Sequence, residues 1–435
     1  MRQGLIRECR GGILAVFCLM GLGGTAFFAY LCNLSAKYMP EMKKTILSFL
    51  LPAALLLMRG PWTATAAHAA KILTGDQRTE LYLPLLEGKT VAIFTNHTGL
   101  AAGQHVVDLL LEKGVRLKAI FAPEHGFRGQ ADAGERVASE VDKATGLPII
   151  SLYTGRGQTL AELVAPYDVL LVDIQDVGLR FYTYYVSMLR LMEACAETGR
   201  RMMVLDRPNP NGFYVDGPLL DMKHKSGVGA LPIPVVHGMT LAELALMANG
   251  EHWLKDGRQC LLTVIPCLGY THQSRYRLPV KPSPNLPNMK AVYLYPSTCY
   301  FEGTHVSLGR GTDFPFQAFG HPDMKGYKFS FTPRSVAGAK HPPLQDRLCH
   351  GRDLRKLSDK KIWQGGLNLE YLIEAYRALG GGDQFFTRFF ELLIGVDYVR
   401  PMIVAGKSAA EIKAMWQADV EQFKRQRRPY LLYEE

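Results

Sequence analysis

The chain has 435 residues and a formal net charge of +10, from 50 Lys and Arg against 40 Asp and Glu. That length exceeds what one core usually organises, so two domains or subdomains are expected; a hydrophobic content of 48% is ample for a packed globular protein. Seven of the basic residues and two of the acidic ones fall in 1–69, which leaves +5 for the rest, a modest balance that argues against a nucleic-acid partner.

The N-terminal region reads as targeting sequence. Residues 11–36 form an uncharged apolar run long enough to span a bilayer. A second signal begins at Met42. Lys43 and Lys44 give it a positive start, 45–58 is an apolar run of signal-peptide length, and Ala67-His68-Ala69 fits a small-x-small cleavage site. A complete signal peptide behind an internal methionine points to Met42 as the true start, cleavage near Ala69, and a periplasmic or secreted product. If 1–41 are translated, they supply a membrane anchor instead. Either way, membrane contact is confined to this segment and the rest of the chain is exported. Beyond it lie five cysteines, Cys195, Cys260, Cys267, Cys299 and Cys349, with no C-x-x-C pair. Cys260 and Cys267 could pair in an oxidising compartment, or all five could be buried thiols.

From residue 72 onward short apolar strands alternate with helical stretches. A strand over 90–94 ends in Thr95-Asn96-His97-Thr98-Gly99, and a helix over 106–113 stops at Gly114. The strand at 117–122 runs into Phe-Ala-Pro-Glu-His-Gly-Phe-Arg-Gly, 121–129. A third strand spans 147–152, and Thr159 and Glu162 form a capping box for a short helix. The fourth, 169–172, leads to Asp173-Ile174-Gln175-Asp176, and a helix is predicted over 181–198. The fifth, 201–205, ends in Asp206-Arg207, and 233–236 leads to His237 ahead of a second capping box, Thr240 and Glu243. This alternation implies an α/β protein with a Rossmann-like, mostly parallel sheet covered by helices on both faces across 72–260. Proline, glycine and aromatic residues become frequent in 261–435, which reads as a smaller ancillary α+β domain closed by amphipathic stretches at 367–379 and 385–393.

In such a sheet ligands bind outside the carboxyl ends of the strands, and the polar clusters fall at those ends. Glu124 and His125, between Phe121 and Phe127, place a carboxyl group among apolar neighbours, where desolvation holds the proton that a general acid needs. The bland alternative is a Glu124–Arg128 ion pair that shapes a loop. Asp173 or Asp176 could be a second carboxylate, although Asp176 could equally cap the following helix and pair with Arg180. Asn96 and His97 suit sugar hydroxyls or an acetamido group, or simply a turn. Gln175, Asp206, Arg207 and His237 end neighbouring strands. In the second region Glu302 is a further carboxylate, Thr304 sits in a glycine-rich binding loop, and Arg310 is placed to meet an anion bidentately. Pro282-Ser283-Pro284-Asn285 reads as a rigid loop beside the same cleft. There is no dinucleotide, P-loop, nucleophile-elbow or H-E-x-x-H motif, although His97, His125, Asp173 and His237 could assemble a metal site from strand ends.

The succession TNHTG (95–99), PEHGFRG (123–129), DIQDVGLRFYTY (173–184), LDRPNP (205–210), HGMT (237–240), PSPN (282–285) and EGTHVSLGRGTDFPF (302–316) resembles the exo-β-N-acetylmuramidase family NamZ. The likeness runs from about residue 72 to the end and departs from the usual pattern at 211–213 and 324–361. It implies a glycoside hydrolase that removes β-1,4-linked N-acetylmuramic acid from the non-reducing end of peptidoglycan fragments, with neither nucleotide nor metal as cofactor. It implies Glu124 as proton donor, with Asp173 or Glu302 as the second carboxylate. His125 and Arg128 are then substrate contacts, and Arg128, Arg180 and Arg310 are candidates for the lactyl carboxylate. The first rival is a metal-dependent hydrolase of another envelope substrate, and the second is a non-catalytic peptidoglycan-binding protein.

Overall fold

The computed structural model describes residues 71–123, 126–127, 140–152 and 158–435. The expected signal peptide and anchor, and Glu124, His125 and Arg128, lie outside them. The central sheet has seven strands: β1 (Val91–Thr95), β2 (Leu117–Ala122), β3 (Glu140–Val141), β4 (Pro148–Ser151), β5 (Val169–Asp173), β6 (Arg201–Leu205) and β7 (Leu261–Ile265). Their order is β7-β6-β5-β1-β2-β4-β3, parallel throughout except for β3 against β4. Every residue of β1 and β5 is buried, as expected of parallel strands covered on both faces. Alternate side chains serve two cores. Ala92, Phe94, Leu170 and Val172 face one, and Val91, Ile93, Val169 and Leu171 face the other.

The helices begin and end where local chemistry dictates. Helix α1 (Thr79–Leu86) and α2 (Val106–Glu112) supply Tyr82, Leu86, Val107 and Leu110 to the smaller core. Both expected capping boxes form, at Thr159–Glu162 ahead of α3 (Leu160–Val164) and at Thr240–Glu243 ahead of α5 (Leu241–Gly250). Between them α4 (Tyr184–Thr198) stops at Gly199, whose φ of 67° is the left-handed cap conformation. It starts three residues later than predicted because 181–183 are turn rather than helix. Asp176 precedes it; its carboxylate accepts from Gly178 N–H at 2.7 Å, and the backbone N–H groups of Val177 and of Tyr185, in the first turn of α4, also act on it.

Two further expectations change. The strand at Pro234–Val236 leaves the main sheet and pairs antiparallel with Asp216–Leu219. Residues 261–265, assigned to the second domain from composition, instead form edge strand β7, in parallel register with β6 from Leu261–Arg201 to Ile265–Leu205. The sheet-bearing part therefore extends past 260. The C-terminal part of the chain is built on α6 (Met289–Thr298), α7 (Glu370–Ala378), α8 (Phe389–Ile394) and a three-stranded antiparallel sheet of Ala318–His321, Cys349–Asp353 and Phe329–Phe331. The five cysteines are buried free thiols. Cys267 does not pair with Cys260, and its Sγ donates to Asp206 O at 3.2 Å.

Candidate active site

From β1 the chain winds outward to β2 and β4, then returns to the other side of β1 as β5, opposite which Thr95 stands level with Asp173. The crevice at this switch point is where a doubly wound sheet would take a ligand. Here the chain fills it with its own polar groups. Asn96 Oδ1 accepts from the Thr98 amide at 2.9 Å and its hydroxyl at 2.6 Å, and Thr98 Oγ1 in turn accepts from Gln175 N–H at 3.0 Å. Gln175 donates to Asp176 O and Pro208 O, both at 2.8 Å. These turns stiffen the sheet edge and carry its polarity outward. Asn96 Nδ2 donates to Tyr184 Oη at 2.9 Å, and Tyr184 and Tyr182 hydroxyls both donate to Pro282 O, at 3.2 and 2.9 Å. His97 Nε2 meets Lys281 O at 2.9 Å.

The outer wall of that network opens into a cavity of about 340 Å³. The first turn of α4 and the residues before it contribute Phe181, Tyr182 and Tyr184; the 282–285 loop contributes Ser283 and Asn285; Tyr295, Glu302, Arg310, Phe316 and Phe389 close the far side. Aromatic walls with a few converging polar groups are what a sugar site needs. Its charged element is the Glu302–Arg310 pair. Arg310 Nε and Nη2 both donate to Glu302 Oε1, at 2.9 and 2.5 Å. Both contacts use one oxygen, so Glu302 Oε2 and Arg310 Nη1 carry no bond to any described residue. Burial alone would lower Arg310, but Glu302 holds its guanidinium above the ordinary value.

Comparison with known proteins gives this geometry a context. The family description "Exo-beta-N-acetylmuramidase NamZ, N-terminal" matches residues 91–290, and its C-terminal counterpart matches 293–433. The chain belongs to the NamZ family. It is 36% identical to the peptidoglycan β-N-acetylmuramidase NamZ of Bacillus subtilis strain 168 over 422 residues, which is 90% of this chain and 100% of that protein. A crystal structure of a DUF1343 family protein from Bacteroides fragilis NCTC 9343 superposes with a TM-score of 0.79 at 60% identity, covering 84% of this chain and 100% of that one. A second DUF1343 protein from the same organism gives 0.71 at 28% identity, over 83% and 99%. The two NamZ segments meet at the start of α6, which puts β7 with the N-terminal one and the cavity at their junction.

Within this NamZ chain the remaining residues singled out from sequence divide sharply. Glu124, His125 and Arg128 lie outside the described residues, but their neighbours Pro123, Gly126 and Phe127 follow the carboxyl end of β2. Gly126 N–H bonds Pro123 O at 3.0 Å, and Phe127 is buried edge-on against His105. Asp173 is wholly buried, and both of its oxygens accept from Arg207, from Nε at 2.6 Å and from Nη2 at 2.9 Å. The same Nη2 reaches Asp76 at 2.5 Å, a partner that sequence reasoning missed. Burial raises both carboxyl groups while Arg207 lowers them, and Asp76 stands at about 6. Asp173 therefore belongs to an internal ion triad and does not line the cavity. Gly75 marks this junction: a Cβ there would sit 2.5 Å from Asp206 N, so the N-terminal segment docks against the ends of β6 and β7 only as glycine.

Four more candidates are built into the scaffold. Arg180, expected to face an anionic ligand, is wholly buried; its Nη1 donates to Pro218 O and Ile233 O and its Nη2 to Leu393 O and Ile394 O. That is a correction: a guanidinium so enclosed is a cross-brace. Asp206 accepts from Tyr433 Oη at 2.5 Å and from Ala242 N–H at 3.1 Å, joining the C-terminal tail to the first turn of α5. His237 Nδ1 accepts from Met239 N–H at 3.2 Å, and burial lowers its ring to about 3, so it is neutral in the fold. Thr304 donates to Phe301 O at 2.8 Å and so closes a turn rather than facing the cavity. Among the described residues no group of three or more His, Cys, Asp or Glu is arranged to hold a metal, and His97, Asp173 and His237 have separate partners.

Asp176 carries a pH signature. Burial raises its carboxyl from 3.8 to about 7 against backbone N–H bonds that lower it. Between those values the folded protein holds a proton that the unfolded chain has released. Its contribution to stability is therefore complete below about pH 4 and is lost as pH rises to about 7. Burial moves Asp206 the same way, to about 7, whereas His237 works in the opposite sense below 6.5. Subtracting an Asp176→Asn profile from the parent isolates the one group. The parent's unfolding free energy in urea should fall more steeply between about pH 4 and pH 7, by up to about 1.4 kcal/mol per unit. Parallel profiles would reject a protonated Asp176.

Proposed function

We propose that this chain is an exo-acting β-N-acetylmuramidase that releases N-acetylmuramic acid from the non-reducing end of peptidoglycan fragments, and that it does so outside the cytoplasm after cleavage near Ala69. The observation that carries the reading is the match to both NamZ segments with an aromatic, carboxylate-bearing cavity at their junction. Glycoside hydrolysis needs a proton donor to the leaving oxygen and a second carboxyl group. Glu124 takes the first role. In the chain it comes just after β2, between Phe121 and Phe127, both of which are buried, and apolar neighbours of that kind favour the protonated form of a carboxyl group. Glu302 takes the second role, with Oε2 turned to a water, to the anomeric carbon or to the substrate's acetamido group. Asp173, tied to Arg207, is set aside. Arg310 fixes Glu302 through Oε1 and offers Nη1 to the lactyl carboxylate, a charge-assisted contact that discriminates muramic acid from plain glucosamine.

The test is incubation of the purified mature protein with N-acetylmuramyl-β-1,4-N-acetylglucosamine and with longer peptide-free strands. Free N-acetylmuramic acid should appear from both, with no internal cleavage of the longer ones. Binding without release would leave a peptidoglycan-binding protein. Activity that a chelator abolishes, with stoichiometric metal in the protein, would replace the reading with metal-dependent hydrolysis.

A further inference from the structure

We propose that a second cavity, lined by the next turns of α4, is a distal subsite for the acidic glycan chain leading away from the scissile bond; the proposal rests on the muramidase reading above. The cavity measures about 360 Å³ and is walled by Val186, Arg190 and Glu193 of α4, by Lys225, and by Trp253 and Leu254 after α5. Half-buried Trp253 and its apolar neighbours offer the surface against which the C–H face of a pyranose packs. Arg190 and Lys225 are exposed and neither forms an ion pair with a described residue. The one carboxylate present, Glu193, accepts from Lys255 N–H at 3.1 Å through Oε1. The lining is thus net positive and aromatic, which matches a sugar that carries a carboxylate. In a peptide-free peptidoglycan strand every second unit is such a sugar.

The two cavities are neighbours across a single loop. Val228 lines the first, and Ser226, Gly227 and Ala230 line the second. The loop between them is rigid: Ser226 and Gly229 exchange backbone hydrogen bonds of 2.8 and 3.2 Å, and Ala230 N–H bonds the Tyr185 hydroxyl at 2.9 Å. Along α4, Tyr184 lines the first cavity and Arg190 the second. Six residues of helix separate them by about 9 Å, on the scale of two sugar rings. A strand whose terminal sugar occupies the first cavity can therefore lay its next lactyl-bearing unit over Val228 into the second. The site would make longer strands better substrates without touching the reacting atoms.

Arg190→Glu, Lys225→Glu and Trp253→Ala test this in the mature protein, with thermal melts confirming that each folds. For a peptide-free tetrasaccharide, KM should rise about five- to tenfold in each variant, while kcat and the kinetics on the disaccharide stay at parental values. Calorimetric titration with the tetrasaccharide gives the same answer without turnover, so the distal site remains testable if the parent binds but releases no N-acetylmuramic acid. In that event the muramidase reading alone fails. Unchanged tetrasaccharide affinity in all three variants would overturn the distal subsite. So would a loss confined to strands bearing stem peptides, which would place the peptide there instead.

Discussion

Glu124→Gln should lower kcat/KM for release of N-acetylmuramic acid by about 100-fold or more with little change in KM, the size expected when a general acid is removed and binding is kept. Glutamine preserves volume and hydrogen bonding but has no acidic proton to give the departing oxygen. The loss should therefore shrink on an aryl muramide, whose phenolate leaves without protonation. Glu302→Gln makes the complementary case: the second carboxyl group acts on the sugar rather than on the leaving group, so its loss should be equally severe on both substrates. Asp173→Asn separates the two candidates for that role. It would remove the bidentate partner of buried Arg207 and should appear first as a lower unfolding midpoint, since uncompensated buried charge is strongly destabilising. If Asp173→Asn folds normally but is inactive while Glu302→Gln turns over at the parental rate, the assignment of Glu302 is wrong. The two carboxyl groups differ most plainly in solvent contact: Asp173 is fully enclosed, whereas the Glu302 side chain keeps 22% of its surface exposed.

Much of this was legible in the sequence for physical reasons. β1 and β5 are apolar runs closed by Thr95 and Asp173, β2 is broken only by Lys118 and β6 opens on Arg201, and Thr159–Glu162 and Thr240–Glu243 are capping boxes whose spacing determines their geometry. The polar ends of β1, β5 and β6 lie on one edge of the parallel sheet, whereas His237 follows a strand outside it. Linear order alone does not reveal which of them face a ligand. Arg180 and Arg310 look alike as charges beside aromatic residues, yet one is enclosed by carbonyls from residues 218–394 and the other stands on a cavity wall. Asp76 escaped notice because its partner is 131 residues away, and Tyr433 because nothing local marks a C-terminal tyrosine as the ligand of Asp206. The edge position of β7 weakens its apolar pattern in the sequence, with Leu261 facing solvent. Ser283 and Asn285 were readable as a rigid loop, since proline at 282 and 284 restricts the backbone on both sides.

Arg180→Met should cost about 4 kcal/mol or more of folding free energy, read as a large drop in the denaturant midpoint. The wild-type side chain donates to carbonyls of Pro218, Ile233, Leu393 and Ile394 at 2.7–3.0 Å. Methionine fills much of the volume but leaves these acceptors inside the protein without donors, at roughly 1–3 kcal/mol for each that water cannot reach. Against a total stability of about 5–15 kcal/mol this is a large share. Arg180→Lys should fall between: the charge survives, but a single ammonium cannot span acceptors that the planar guanidinium meets from two nitrogens. The surroundings are equally committed, because a Cβ at Gly395 would lie 2.5 Å from Arg180 Nη2. Activity should follow the folded fraction, since the next residue, Phe181, begins the cavity wall and Arg180 acts on substrate only by holding that wall to α8. A variant that keeps its midpoint but binds the muramic acid product at least tenfold more weakly would instead make Arg180 a ligand for the lactyl group, and would require the carbonyl cage to open when substrate enters.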